Sequence, residues 1–289
     1  MKACDFKIIK NLGEGTFSEV YLAENHSSQY PEHKLVALKR LKTDNLTEEE
    51  IMQCFDEIYL LQRVKNSENV IDCLGAFRES NDFFIALEFA DKKDLEYLFN
   101  EKRQNGLLFS ERSIWFYFHQ ICAGLKELHE QRILHRDLKP ANIFLTRTGK
   151  AKIGDLGLSR IFSLKTQLAK TEVGTDYYLA PERNICFGGY NFKSDIWALG
   201  CILYEMCTLR SPFNGEQRNA YALFKRIEIC QYPPVPANCY SRQLKFFISS
   251  CLSIRPENRP NAEQAHSAAR KMNLKFESLR AKFKKQFGK

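Results

Sequence analysis

The sequence predicts an α+β fold in two unequal lobes. Three observations carry this. The first forty residues read as short β runs bounded by turn signals and the part up to about residue 90 is strand-rich around one helix, helical periodicity takes over from about residue 91, and no repeat or long Gly/Ser linker separates the halves. Phe6 to Leu12 reads as a strand, a glycine turn follows, and Glu19 to Ala23 and Leu35 to Arg40 read as two more. Thr47-Glu48-Glu49-Glu50 has the form of a capping box opening a helix, whose apolar residues Ile51, Phe55, Ile58 and Leu61 step by three or four. Phe83 to Phe89 is a further strand. In the second part Ile114, Tyr117, Phe118, Ile121, Leu125 and Leu128 form a 3.6-period stripe. Ile196 to Cys207 is apolar nearly all round, as a buried helix would be.

A chain of 289 residues, 44% hydrophobic, is long enough to bury a sizeable core. It has no N-terminal apolar leader and no run long enough to span a bilayer, so a soluble intracellular protein is expected. The ten cysteines form no C-x-x-C pair, which argues against a zinc knuckle and for a reducing compartment. The net charge is +8, but residues 271–289 hold seven Lys or Arg against one Glu. The remainder is nearly balanced, so the basic character is no argument for nucleic-acid binding.

The densest chemistry lies in Leu134-His135-Arg136-Asp137-Leu138-Lys139-Pro140-Ala141-Asn142-Ile143, followed by Asp155-Leu156-Gly157. A carboxylate to orient a hydroxyl, an ammonium to hold a phosphate, and an amide with a second carboxylate to hold a metal make an inventory for phosphoryl transfer. Each residue alone is an ordinary loop residue; the ordered set is what is specific. His135, between apolar neighbours, reads as a core histidine. Upstream, Gly13-Glu14-Gly15-Thr16-Phe17-Ser18 lies between two predicted strands, where glycines let backbone approach an anionic ligand. A strand rather than a helix follows it, which excludes a dinucleotide-binding fingerprint. Lys39 sits inside an apolar strand. Such a lysine is commonly a snorkelling edge residue, but Glu57 on a helix face eighteen positions later makes an internal ion pair the better reading.

These motifs, together with Ala180-Pro181-Glu182, Asp195-Ile196-Trp197-Ala198-Leu199-Gly200 and Arg259-Pro260, resemble the eukaryotic protein kinases over residues 6–270. The resemblance implies a bilobal protein-kinase-like fold, with an N-lobe over about 1–90, a C-lobe over about 91–270 and a basic tail over 271–289. It implies ATP and Mg²⁺ as cofactors and a protein substrate. Asp137, Lys139, Lys39 and Glu57 would be catalytic, and Asn142 and Asp155 the metal ligands. Leu12, Gly13, Glu14, Gly15, Thr16, Phe17, Ser18, Val20, Ala37 and Lys39 would surround the nucleotide, with Leu87 as gatekeeper and Glu88 to Ala90 as hinge. Glu182 and Arg259 would form a structural ion pair, and Asp195 would brace the catalytic loop. Lys139-Pro140 resembles serine/threonine rather than tyrosine kinases, and Leu158 resembles kinases that favour Ser over Thr.

A finer similarity is to the NIMA-related kinases, especially short members that are little more than a catalytic domain. It rests on Phe17-Ser18-Glu19-Val20-Tyr21, Lys139 through Thr146, Gly154 through Leu158, Tyr190 through Trp197, and Tyr204-Glu205-Met206 through Ser211-Pro212-Phe213. It implies a role in cell-cycle, microtubule or cilium regulation, a cytoplasmic location that is cytoskeletal, centrosomal or nuclear in part, and many substrates with a large apolar residue three before the target. Residues 158–176 look like an activation loop. Thr171 aligns with the phosphorylated position, a target for an upstream activating kinase, with Arg136 to hold the phosphate, and Thr175 would contact Asp137 and Lys139. Asp176 departs from the subfamily's proline; it would favour basic neighbours or simply face solvent. Cys73 departs from a bulkier residue, so packing beneath Leu61 is expected to differ. A monomer is expected, and the alternative to an active enzyme is a pseudokinase or nucleotide-binding scaffold. Leu279, Phe283 and Phe287 step by four among basic residues. If helical, that segment would suit the core, an acidic partner or an anionic membrane; a solvated terminus fits equally.

Overall fold

The computed structural model describes residues 1–14, 18–42, 47–80, 82–155, 175–183, 189–214, 220–236 and 238–287, without the side chains of Glu50, Gln53, Glu57, Thr175, Asp176, Ala220 and Phe287. Strands β1 (Phe6–Glu14), β2 (Ser18–Asn25), β3 (Leu35–Lys42), β4 (Cys73–Glu79) and β5 (Asp82–Glu88) form one antiparallel sheet in the order β1-β2-β3-β5-β4. Each predicted strand is present; the first three run two or three residues further than their apolar alternation alone marks, and β5 is displaced by one, ending at Glu88 rather than Phe89. Helix α1 (Glu48–Leu61) lays Ile51, Ile58 and Leu61, all buried, against this sheet, with Phe55 half-buried beside them.

Register decides which residues face the cleft. Val20 lies opposite Lys39, Lys39 opposite Ile85, and Ala37 opposite Leu87. Directly paired residues share a face. Val20, Ala37, Lys39 and Leu87 are therefore gathered on one side, while Val36 and Leu38 are buried on the other.

The larger lobe is helical: α2 (Leu95–Gln104), α3 (Glu111–Glu130), α4 (Phe192–Thr208), α5 (Ala220–Glu228), α6 (Arg242–Cys251) and α7 (Ala262–Phe287). Asp94 and Ser110 cap α2 and α3, accepting hydrogen bonds from the Tyr97 and Ser113 amides. Every residue of α4 from Ile196 to Cys207 is buried, as its apolar run predicts. Helix α7 runs antiparallel to α3, joined by Lys126–Glu263 near one end and Arg112–Glu277 (2.8 Å) near the other. Ala265, Ala269, Met272 and Phe276 pack inward. The helix passes residue 270 unbroken, and Leu279 and Phe283 are exposed on its far part. Among the described residues no helix is long and apolar enough to cross a membrane.

Between the lobes, a small hairpin of β6 (Ile143–Leu145) and β7 (Ala151–Ile153) pairs Ile143 with Ile153. Asn142 immediately precedes this hairpin and Asp155 closely follows it. The Gly154 amide donates to the Asn142 carbonyl at 2.9 Å. A three-residue ladder thus brings together two oxygen donors that are thirteen positions apart in sequence.

Candidate active site

The loop between α3 and β6 is built around Asp195, fully buried at the start of α4. Its carboxylate accepts from the backbone amides of His135 and Arg136, each at 3.0 Å, from the Tyr190 hydroxyl, and contacts His129 Nε2 at 2.9 Å. Burial pushes this carboxyl up, but His129 and the other donors outweigh it and hold it below its ordinary value. The loop is thereby pinned with Arg136 in the left-handed region at φ 68°. His135 is buried as expected. Its Nδ1 accepts from the Asp137 amide at 3.3 Å and its Nε2 lies 3.1 Å from the Gly154 carbonyl. Both contacts are met by the neutral ring with its proton on Nε2, which suits a positioning group rather than an acid or base.

Asp137 is where the loop's side chains meet. Lys139 Nζ donates to its Oδ2 at 2.8 Å, and Asn142 Nδ2 donates to the same oxygen at 3.1 Å and to the Asp137 carbonyl at 2.7 Å. With its Nδ2 so occupied, Asn142 keeps its side-chain oxygen for another partner. Asp155, at φ 56°, bonds the Lys39 ammonium across the cleft. Burial pushes the Asp155 carboxyl up, but the Lys39 charge outweighs this and holds it below its usual range. Asn142 and Asp155 offer two hard oxygens on adjacent backbone. That suits a Mg²⁺ ion whose remaining positions are filled by phosphate and water rather than by an all-protein cage. Among the described residues no cluster of three His, Cys, Asp or Glu could hold a metal alone.

The expected Lys39–Glu57 pair lies outside the described side chains. The partner the structure gives Lys39 is Asp155. Gly15, Thr16, Phe17, Thr171 and the Asp176 side chain also lie outside the description. Leu12, Gly13 and Glu14 end β1, and Ser18 opens β2, with Gly13 opposite Val20. Glu88 differs from expectation in one respect. Its carboxylate pairs with Lys152 Nζ at 2.7 Å and accepts from the Asp72 amide, and its own amide donates to Asp72. A hinge contact by Glu88 is left to its backbone carbonyl; Ala90 follows at the cleft edge. Cys73, buried in β4, lines a void of about 20 Å³ with Ile58, Leu61, Ile71 and Leu87, and burial pushes its thiol up to about 12. The void also borders Lys39 and Asp155, so Cys73 and Leu61 lie close behind that pair. Glu182 and Arg259 form the expected bidentate pair at 2.7 and 2.8 Å, with Ser194 on Glu182.

The protein kinase domain profile matches residues 6–269. The chain belongs to the protein kinase family. This kinase is 39% identical to human serine/threonine-protein kinase Nek5 over 260 residues, covering 89% of the chain and 35% of the relative. It is 36% identical to mouse Nek1 over 254 residues (88% and 20%) and 37% identical to mouse Nek3 over 262 residues (89% and 48%). The NIMA-related similarity read from the motifs is therefore matched by NEK relatives along most of the kinase. The chain spans about a third of the length of human Nek5.

Three functional groups escaped the motif reading. His129 and Tyr190 complete the support of Asp195; Tyr190 lies in a stretch that carries the NIMA-related resemblance, which gave it no role, and His129 carries no local signal. Glu205 did carry one, as the one acid inside the otherwise apolar run of α4. It is buried and accepts from the Tyr178 hydroxyl at 2.6 Å.

Proposed function

We propose that this chain transfers the γ-phosphoryl group of magnesium-bound ATP to Ser or Thr hydroxyls of proteins. The observation that carries the reading is the convergence on Asp137 of Lys139 and Asn142, facing the Lys39–Asp155 pair across the cleft. Asp137 orients the acceptor hydroxyl and takes its proton as the oxygen bonds to the γ-phosphorus. Lys139 neutralises the transferring group, and Lys39 holds the phosphates whose β–γ bond breaks to leave ADP. Asn142 and Asp155 would hold Mg²⁺, which would offset the negative charge of the phosphates. Val20, Ala37 and Leu87, gathered on one sheet face, supply the apolar walls for the base.

The test is phosphorylation of a generic protein substrate with Mg-ATP. Asp137→Ala is expected to lose about 10³-fold in kcat, within the range for a general base. Activity that survives the substitution refutes the assignment. Phosphorylation of Thr171 by an upstream kinase is proposed as the activating step, supported by its alignment and by the guanidinium of Arg136 beside Asp137. Thr171→Ala is expected to work roughly tenfold more slowly than phosphorylated wild type; equal specific activities would exclude that role. A monomer in a reducing compartment, with cell-cycle, microtubule or cilium proteins as substrates, completes the reading. The reducing compartment is supported by the absence of a disulfide among the nine described cysteines, and the substrate class by the NEK likeness.

A further inference from the structure

Helix α7 outlasts the helix it packs on. Its inward residues Ala265, Ala269, Met272 and Phe276 lie against the core. Helix α3 begins at Glu111, and Arg112 in its first turn meets Glu277. From there α7 continues to Phe287, about 15 Å further. The inward residues step alternately by four and three, and the same steps lead on to Leu279 and Phe283. That is the seam of a coiled coil, in which one face of a helix stays turned toward a partner. Past the end of α3 its residues are exposed, Leu279 at 53% and Phe283 at 62%. The loop leading into α3 exposes Leu107 and Leu108 at the same end of the lobe.

The cations are ordered about this seam. Lys275 precedes Phe276, Arg280 follows Leu279, and Lys282 precedes Phe283. Those flanking positions are the ones that meet a partner helix's charges. All three residues are exposed. Residues 271–289 hold seven Lys or Arg against one acid, Glu277, which Arg112 and Arg280 already meet. Among the described residues Lys275 and Lys282 are in no ion pair. A second copy of this helix would bring the same cations to the same positions, so the charge argues against self-pairing. The seam also faces the side on which α3 lies. It therefore looks into a corner between α7 and the loop before α3. A helix on the line of α3 fits that corner, whereas a flat lipid surface does not reach its floor.

We propose that the far part of α7 is a docking face for an amphipathic helix of a partner protein, whose apolar seam is flanked by Glu or Asp. Leu279 and Phe283 are the anchors, and Lys275, Arg280 and Lys282 select the acidic flanks. The partner continues the packing that α3 begins. The catalytic loop follows the opposite end of α3, about 30 Å away along a helix of 20 residues. Docking thus leaves the cleft open and is independent of phosphoryl transfer.

The test uses the full chain and two synthetic amphipathic peptides with leucine along the seam. One carries Glu at the flanking positions and the other Lys. Fluorescence anisotropy is expected to give the Glu peptide at least about tenfold tighter binding. Lys275→Glu/Arg280→Glu/Lys282→Glu should reverse the preference, which a folding defect cannot do. Leu279→Ser/Phe283→Ser should weaken the Glu peptide about tenfold while transfer to a soluble peptide substrate stays at the wild-type rate. Equal binding of the two peptides, or binding of neither, overturns the docking face. So does undiminished binding by the Ser variant, which would mark mere adsorption to positive charge. A wild-type dimer that the Ser variant abolishes, or tighter binding to phosphatidylserine vesicles than to the Glu peptide, overturns it in favour of a second copy or a membrane. Each of these failures leaves the kinase reading standing.

Discussion

At the scale of single residues, the site is a set of charges placed where each has a partner, and Glu205 is the exception that shows the cost. Its carboxyl is raised from the ordinary 4.5 to about 7, chiefly by burial. Between those two values the folded chain holds a proton that the unfolded chain has already released. Stability must therefore fall as pH rises through that window and level off above it. The loss is on the order of 3 kcal/mol. Glu205→Gln keeps an oxygen for the Tyr178 hydroxyl and removes the charge. Its urea midpoint is expected to exceed that of wild type at pH 8 and to match it near pH 4.5. Parallel midpoints across the range would show that Glu205 is not a buried, strained acid.

At the scale of elements, close approach of backbones sets the seam between the lobes. Gly124 lies in the middle of α3, and a Cβ there would land on the Asn69 carbonyl oxygen, well inside contact distance. That carbonyl accepts from the Ile153 amide at 2.8 Å, and the Asn69 side chain donates to Ala151 at 3.0 Å. Helix, linking loop and β7 are thus locked at one point with no room for a methyl group. Gly124→Ala gains about 1 kcal/mol of helix propensity, yet overpacking against fixed backbone costs roughly 1–3 kcal/mol or more. A net loss of about 1–2 kcal/mol in chemical denaturation is expected; a stabilised variant would show that the seam is soft. The elements themselves were largely legible. Alternation in Leu35–Lys42 and the 3.6-period stripe of α3 identify strand and helix because burial on one face leaves a period in the sequence. The value of Gly124 was not legible, because its neighbour Asn69 is distant in sequence and leaves no period.

At the scale of the whole molecule, the same limit explains which parts of the site could be read. Asp137, Lys139, Asn142 and Asp155 are close in sequence, and the short β6–β7 hairpin joins them, so a local motif reveals their union. The union of Lys39 with Asp155 spans 116 positions. The role of Lys152 spans both lobes and had no motif at all. Its side chain, 9% exposed, comes from β7 and reaches the Ser67 carbonyl at 3.1 Å and the Glu88 carboxylate, 17% exposed, at 2.7 Å. One ammonium thus ties the end of the small sheet and the loop before β4 to the hairpin that carries Asp155. Glu88 ends β5, where the chain leaves the small sheet for the helical lobe, so this bond also sets the path of the chain there. Lys152→Met retains the aliphatic stem but leaves the half-buried Glu88 carboxylate without its cation, and the Ser67 carbonyl without its donor. Breaking a buried pair on one side costs about 3–5 kcal/mol. Lys152→Met should therefore lower the urea-unfolding free energy by about 3 kcal/mol. Glu88→Gln/Lys152→Met removes the stranded charge and should recover part of the loss. If the single and double variants unfold alike, the Lys152–Glu88 bond does not join the lobes and another contact holds the hinge.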